Sequence, residues 1–409
     1  MLCLFEDENV KRLYPVTVGK PAFDISCGSF RLLDVAQTLG TEVRAIVRPH
    51  LTGILEADGM TVGLSGHEGS VLLVNARLVP RVELRKELAS ALAGEGPCMA
   101  SRDGTVLWAR LPAAHCPTGP AQSTQQIHGA LLSLGLPGTK SDAPLFDYPH
   151  DIVRHHLMSL GANLELRLAQ GSYQEILPGV FAAPGAKLGE HAVTDTRSGP
   201  IVLERDATVG PFCFLRGPAH LGQGARLIEQ SAVKDCVALG HTTKIGGEVE
   251  GSIIEPYTNK QHHGFLGHSY LGSWVNLGAG TCNSDLKNTY GHVNMEYQGL
   301  KVPTGMQFLG AIVGDYAKTA INTGIFTGKT VGVCSMLYGF VTTNVPSFVN
   351  YARLFGQVTE APVEVMVATQ ARMFARRKVE QRPCDIQLLH DMYELTRHER
   401  QLAGEPLAL

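Results

Sequence analysis

From residue 201 the chain divides into sixes: "IVLERD ATVGPF CFLRGP AHLGQG ARLIEQ SAVKDC VALGHT TKIGGE". The third place of every block is aliphatic: Leu203, Val209, Leu215, Leu221, Leu227, Val233, Leu239 and Ile245. The first place is mostly small, as at Ala207, Cys213, Ala219, Ala225 and Ser231, and glycine follows the aliphatic residue at Gly210, Gly222, Gly240 and Gly246. A period of six points in three directions around an α-helix, so no helix can bury it on one face. In a strand alternate side chains share a face, so the first and third places point inward while a corner every six residues redirects the chain. Stacked coils of this kind bury one continuous aliphatic column, as repeat architectures do. The pattern returns at Leu271, Leu277, Val313, Ile325 and Val331 after a slip of two residues beyond Ile245. The polar segment between Leu277 and Val313 is expected to project from the column as a loop, where function tends to sit.

Three zones follow from this repeat. Residues 1–175 alternate β-rich runs ("LCLF", "EVRAIV", "VLLVNARLV") with helical patterns ("RVELRKELASALAG", "PHDIVRHHLMSLGANLELRLAQ"), which predicts a layered α/β domain. Residues 176–345 hold the all-β coils. Residues 346–409 contain "SFVNYARLFG", "PVEVMVATQARMFARRKVEQ" and "PCDIQLLHDMYELTRHERQLAG", whose apolar spacing predicts C-terminal helices that cap the column or meet a neighbouring subunit. The balance of 35 basic and 38 acidic residues argues against a nucleic-acid partner. Nine scattered cysteines without a CxxC pair predict reduced thiols rather than disulfides or a zinc ribbon. Acidic residues early in "MLCLFEDENV" speak against a signal peptide, and no apolar run approaches the ~20 residues of a membrane span, so a cytoplasmic protein is expected.

One stretch has the composition of a site: "NKQHHGFLGHSYLGSWVNLGAGTCNSDLKN", residues 259–288, with three histidines among glycines and asparagines. It is similar to the acetyltransferase half of the bifunctional glucosamine-1-phosphate acetyltransferase/N-acetylglucosamine-1-phosphate uridyltransferase family, which reads "HLxYLGDAxIGxxVNIGAGTITxNYDG". The resemblance implies a left-handed parallel β-helix, acetyl-CoA as cosubstrate, an amino-sugar phosphate as acceptor and a homotrimer with the donor in a groove between prisms. It places the catalytic base at His262. Substrate contacts fall at Arg216, Lys260, Asn276 and Asn283, and coenzyme A contacts at Ala279, Gly280 and Ala311. The residue types suit the chemistry. Histidine titrates near neutral pH and can take a proton from an attacking amine. Arginine or lysine neutralises phosphate, and asparagine donates to and accepts from sugar hydroxyls. Phe265 replaces the family's tyrosine, and "NSDL" replaces "NYDG".

The first zone resembles the family's nucleotidyltransferase domain through "LYPVTVGKP", but lacks its glycine-rich loop, and Arg77 stands where the family has a metal-binding aspartate. Magnesium requires oxygen ligands. An active domain therefore needs other carboxylates, with Glu6, Asp7 and Asp24 the candidates. Otherwise the domain is degenerate. No metal ligand set is expected in the β-helix. Two other readings share the scaffold: a non-catalytic sugar-nucleotide-binding protein, and a γ-carbonic-anhydrase-like hydratase using His262, His263 or His268 together with His241.

Overall fold

The computed structural model describes residues 1–116 and 124–400. The end of the last predicted helix, from residue 401, lies outside the described residues. The N-terminal zone forms one mixed sheet of β1 (Leu2–Phe5), β2 (Val43–Ile46), β3 (Thr61–Val62), β4 (Ser70–Asn75), β5 (Cys98–Arg102), β6 (Thr105–Pro112) and β7 (Gly138–Thr139). Their order is β3-β2-β1-β4-β6-β5-β7, with β1 parallel to both β2 and β4. The apolar runs of β1 and β4 are buried along their length, as central parallel strands are. Both helices predicted here form, as α1 (Val82–Ala93) and α2 (Pro149–Gln170). Helix α2 starts on Pro149, which lacks the N–H that a first helical turn leaves unpaired.

The sixes wind into a parallel β-helix with three faces. Leu203, Leu221 and Leu239 stack in register on the first face; Val209, Leu227 and Ile245 on the second; Leu215, Val233 and Val249 on the third. All are buried in one column. The slip beyond Ile245 has a simple cause. Leu239 pairs with Ile254, and Ile254 with Leu271, so two coils are shorter than three sixes. Ile245 itself pairs with Lys260, which puts a lysine into the aliphatic column.

Two expectations are corrected. "SFVNYARLFG" forms no α-helix: Val349–Ala352 is a strand on the prism, where Val349 and Tyr351 alternate inward and complete the column, and Arg353–Phe355 makes only a single 3-10 turn. Burial on a pleated strand overrides the helical spacing. The segment after Leu277 is no free loop either. Asn294–Tyr297 and Leu300–Pro303 pair as an antiparallel hairpin, turned by left-handed Gln298 and Gly299. Its alternate residues Val293, Met295 and Tyr297 enter the core of the N-terminal domain. The Tyr297 hydroxyl bonds His150 N (3.2 Å) and Nδ1 (3.0 Å).

Several further bonds join the two halves. Ser26 gives its N–H (2.9 Å) and hydroxyl (2.8 Å) to Glu255, which also accepts from the Tyr270 hydroxyl at 2.8 Å. Lys20, from "VGKP", lies 3.0 Å from Asp315. The C-terminal helices α3 (Val363–Arg376) and α4 (Pro383–Leu395) pack along the side of the same chain. Phe374 meets Trp274 (centroids 4.5 Å apart), and Arg382 reaches Asp58 at 2.6 Å. Among the described residues, no helix is long and apolar enough to cross a membrane.

Candidate active site

The predicted site residues divide by where the prism puts them. His262 lies at the corner between the second and third faces, exposed, and its ring makes no hydrogen bond to another described residue. The next coil's corner stacks directly on it: Gly280 N–H donates to His263 O at 3.1 Å. Two corner glycines permit this approach. A Cβ on Gly264 would lie 2.1 Å from Thr281 O, and Gly280 has φ +74° with Asn322 in the space of its absent side chain. Ala279 accepts from Asn322 N–H at 2.7 Å, while its own N–H bonds no other described residue. His262, Ala279 and Gly280 therefore share one edge, with an unengaged imidazole and an unengaged backbone donor.

Three residues have internal partners instead. Lys260, 2% exposed, donates to Gly246 O (2.7 Å), Gly264 O (2.7 Å) and His262 O (3.3 Å), and burial pulls its pKa down to about 8. It fastens the His262 corner from inside. Asn283 accepts from Gly267 N–H (2.9 Å) and donates to Gly267 O (3.0 Å), so its amide replaces an aliphatic side chain in the column. Ala311 is fully buried and points inward, and its N–H donates to Ser269 at 2.9 Å. Sequence reasoning placed these three near the site but not on the inner face of their strands. Arg216 is half-exposed on the third face, 3.1 Å from Asp235 and 3.4 Å from Asp195. Three coils separate it from the His262 coil, roughly 14 Å at ~4.8 Å per coil.

Asn276 opens a part of the site that sequence reasoning missed. It stands on the second face in a ladder of outward residues, Lys244, Asn259, Asn276 and Lys318, paired from coil to coil. With Arg376 and Arg377 at the end of α3, they line a cleft of about 270 Å³ that Gln261, the neighbour of His262, also borders. The available signal was positional: each ladder residue immediately precedes an inward one. The hairpin insertion hides Lys318, and "ARRK" reads as an ordinary solvated helix end.

At the carboxyl ends of β1 and β4, where open α/β sheets bind ligands, the charges are already matched. Arg77, 1% exposed, holds Asp7 in two bonds (2.8 and 2.7 Å) and reaches Asp147 at 2.9 Å. Burial pushes the Asp7 carboxyl up, but Arg77 outweighs it and holds the group below its usual range. Glu6 accepts three bonds from Arg48, at 2.9–3.0 Å, and one from Ala22 N–H. Asp24 faces Arg31 at 3.1 Å, with burial raising its pKa to about 6. These carboxylates do not fit a magnesium ion. Their lone pairs point at guanidinium groups. Nor do the histidines converge: His268 is bound to Asp285 at 2.8 Å and His241 packs on Tyr257, and no group of three or more metal-ligating side chains occurs among the described residues.

Residues 2–171 match the sugar nucleotidyl transferase family. Curated relatives include three bifunctional proteins. A bifunctional sugar-1-phosphate nucleotidylyltransferase/acetyltransferase of Sulfurisphaera tokodaii is 28% identical over 148 residues, 36% of this chain and 37% of that protein. The bifunctional protein GlmU of Methanococcus vannielii is 34% identical over 90 residues, 22% of each chain. The GlmU protein of Rippkaea orientalis is 25% identical over 186 residues, covering 36% of this chain and 40% of that one. The chain thus aligns with less than half the length of these relatives. The family match covers the N-terminal domain, in which Arg77 and Arg48 engage the Asp7 and Glu6 carboxylates.

Proposed function

We propose that this chain is an acetyl-CoA-dependent N-acetyltransferase of an amino-sugar phosphate such as glucosamine 1-phosphate, fused to a nucleotidyltransferase-like domain that has lost its metal apparatus. The observation that carries the reading is the shared edge of His262, Ala279 and Gly280. His262 takes the proton from the attacking amine; the C–N bond forms, the C–S bond breaks, and coenzyme A leaves as the thiol. The Ala279 N–H is the donor for the thioester oxygen as negative charge develops on it. Asn276 orients the sugar, and Arg216 of an adjacent prism meets its phosphate. A trimer supplies that prism. Exposed Ile321, Phe326, Phe340 and Phe355, between 50% and 70% accessible, support such an interface. The N-terminal domain then holds a sugar nucleotide without turning it over, and the protein works in the cytoplasm.

Thiol release from acetyl-CoA with glucosamine 1-phosphate tests the reading. His262→Ala is expected to lower turnover by about 10²–10⁴-fold with an unchanged melting temperature, the range for losing a general base. Unchanged turnover in that variant removes His262 from the mechanism. Absence of thiol release by the wild-type protein removes the acetyltransferase reading.

A further inference from the structure

The cations of the cleft beside His262 gather in one cavity without a carboxylate, whereas buried Lys260 and Arg110 each stand alone among backbone carbonyls and three other buried cations are matched by acids. Arg48, Arg77 and Lys20 each face a carboxylate within 3.0 Å. In the cleft, Lys318 donates to the Tyr316 carbonyl (2.9 Å) and Arg377 to the Asn259 amide oxygen (2.6 Å), both neutral acceptors. No aspartate or glutamate lines the cavity. Burial and then the neighbouring Arg377, Arg226 and Arg376 pull Lys244 below its usual pKa; burial and then Arg376 and Arg226 do the same to Arg377, and burial takes Lys318 down to about 8. The α3 dipole helps to offset Arg376 and Arg377 at the helix C-terminus. Lys244 and Lys318, on strands, have no such compensation.

Gathering positive charge without a counter-ion is costly in the free protein, and an anion relieves it. The shape narrows the choice of anion. Lys244 and Lys318 stand three rungs apart on one ladder, roughly 14 Å at the strand spacing. Asn259 and Asn276 between them offer amide donors. Arg376 and Arg377 face this ladder across about 270 Å³, enough for a diphosphate and a fragment of its ester but not for a whole dinucleotide. Tyr257, Trp274 and Phe374 stack in series beside it (4.2 and 4.5 Å), which fixes α3 against the prism and keeps the two walls apart.

We propose that this cleft, formed by Lys244, Lys318, Arg376 and Arg377 of a single chain, binds the diphosphate of a nucleotide conjugate. The site deepens the acetyltransferase reading, since Gln261 joins it to His262. The diphosphate has two possible sources, coenzyme A and a nucleoside-diphosphate sugar. Calorimetric titration of the full chain with inorganic pyrophosphate tests the site, followed by displacement with coenzyme A or UDP-N-acetylglucosamine. Pyrophosphate is expected to bind, more weakly as salt rises. Lys318→Met and the double variant Arg376→Gln/Arg377→Gln should each raise Kd at least tenfold at unchanged melting temperature. The conjugate that displaces pyrophosphate identifies the source. Displacement by neither, no binding at all, or binding that ignores both variants overturns the proposal. His262→Ala separates this from the catalytic reading: turnover unaffected by that change while pyrophosphate still binds sinks the chemistry and leaves the site. Turnover lost in His262→Ala without pyrophosphate binding in the wild type sinks the site alone.

Discussion

The strand ends of the N-terminal domain and the His262 edge of the prism are built from similar side chains and treat them in opposite ways. At the strand ends Arg77 and Arg48 face Asp7 and Glu6, and each of these four charges has its partner at 3.0 Å or less. At the prism edge His262, Lys318 and Arg377 find only solvent or neutral acceptors. A matched buried pair supports the fold and offers nothing to a ligand. Unmatched groups in a cleft retain the capacity to bind one. The comparison gives matched charge to the sheet and unmatched charge to the prism edge.

The largest expected effect follows from the matched region. Arg77→Met leaves Asp7 buried beside Asn75 without its cation, and breaking such a pair costs about 3–5 kcal/mol. Chemical denaturation should show that loss, whereas acetyl transfer by the protein that remains folded should be unchanged. A loss below about 1 kcal/mol would mean that the Arg77 pocket is open to water and still available to a ligand, and the contrast would fail.

A second effect concerns the joint between the regions. His156 is fully buried; it accepts from Gly28 N–H at 3.1 Å and its Nε2 faces Cys236 O at 2.8 Å, so one neutral ring links the N-terminal domain to the prism. Burial lowers its pKa from 6.5 to about 4. Between those values the unfolded chain binds the extra proton, so stability is full above pH 6.5 and falls on acidification towards pH 4. The contribution is on the order of 2–3 kcal/mol across that window. Melting temperatures of the wild type and His156→Gln should diverge at pH 7 and converge near pH 4; parallel pH profiles would assign the acid sensitivity to other groups. A smaller effect belongs to the hairpin: Tyr297→Phe leaves the buried His150 N–H unpaired and should cost about 1–2 kcal/mol with no change in turnover. A change in turnover would tie the hairpin to catalysis.

How much of this was legible in the sequence depended on whether a residue kept the repeat's rule. The eight aliphatic third places from Leu203 to Ile245 announced the column because nothing else needs a six-residue period. The rule broke where Lys260 and Asn283 took inward places, and a polar residue in a polar stretch reads as a ligand contact until the register shows it facing inward. The hairpin was legible in principle, since Val293, Met295 and Tyr297 alternate with polar Asn294 and Glu296. A segment of that length between coils was read as a loop because its partner surface belongs to another domain. The pairing of Arg77 with Asp7 joins residues 70 positions apart. Sequence could place an arginine where a metal ligand was due, but could not show which carboxylate it would meet.

The smallest expected effect falls on Arg216, which stands between the two behaviours: half-exposed, yet held by Asp235 and Asp195. As a surface ion pair it adds less than about 1 kcal/mol of stability. Its side chain can turn from two aspartates to a phosphate at little energetic cost, because arginine keeps its charge and its fork of donors in either pairing. Arg216→Ala should therefore raise the KM for the sugar phosphate several-fold with kcat nearly unchanged, the pattern of lost uniform binding. A KM that does not move makes Arg216 another matched charge and assigns the acceptor's phosphate to the cations beside Asn276. That outcome would put both phosphate-bearing substrates on one wall of the prism, and Lys318→Met would then raise the KM for both.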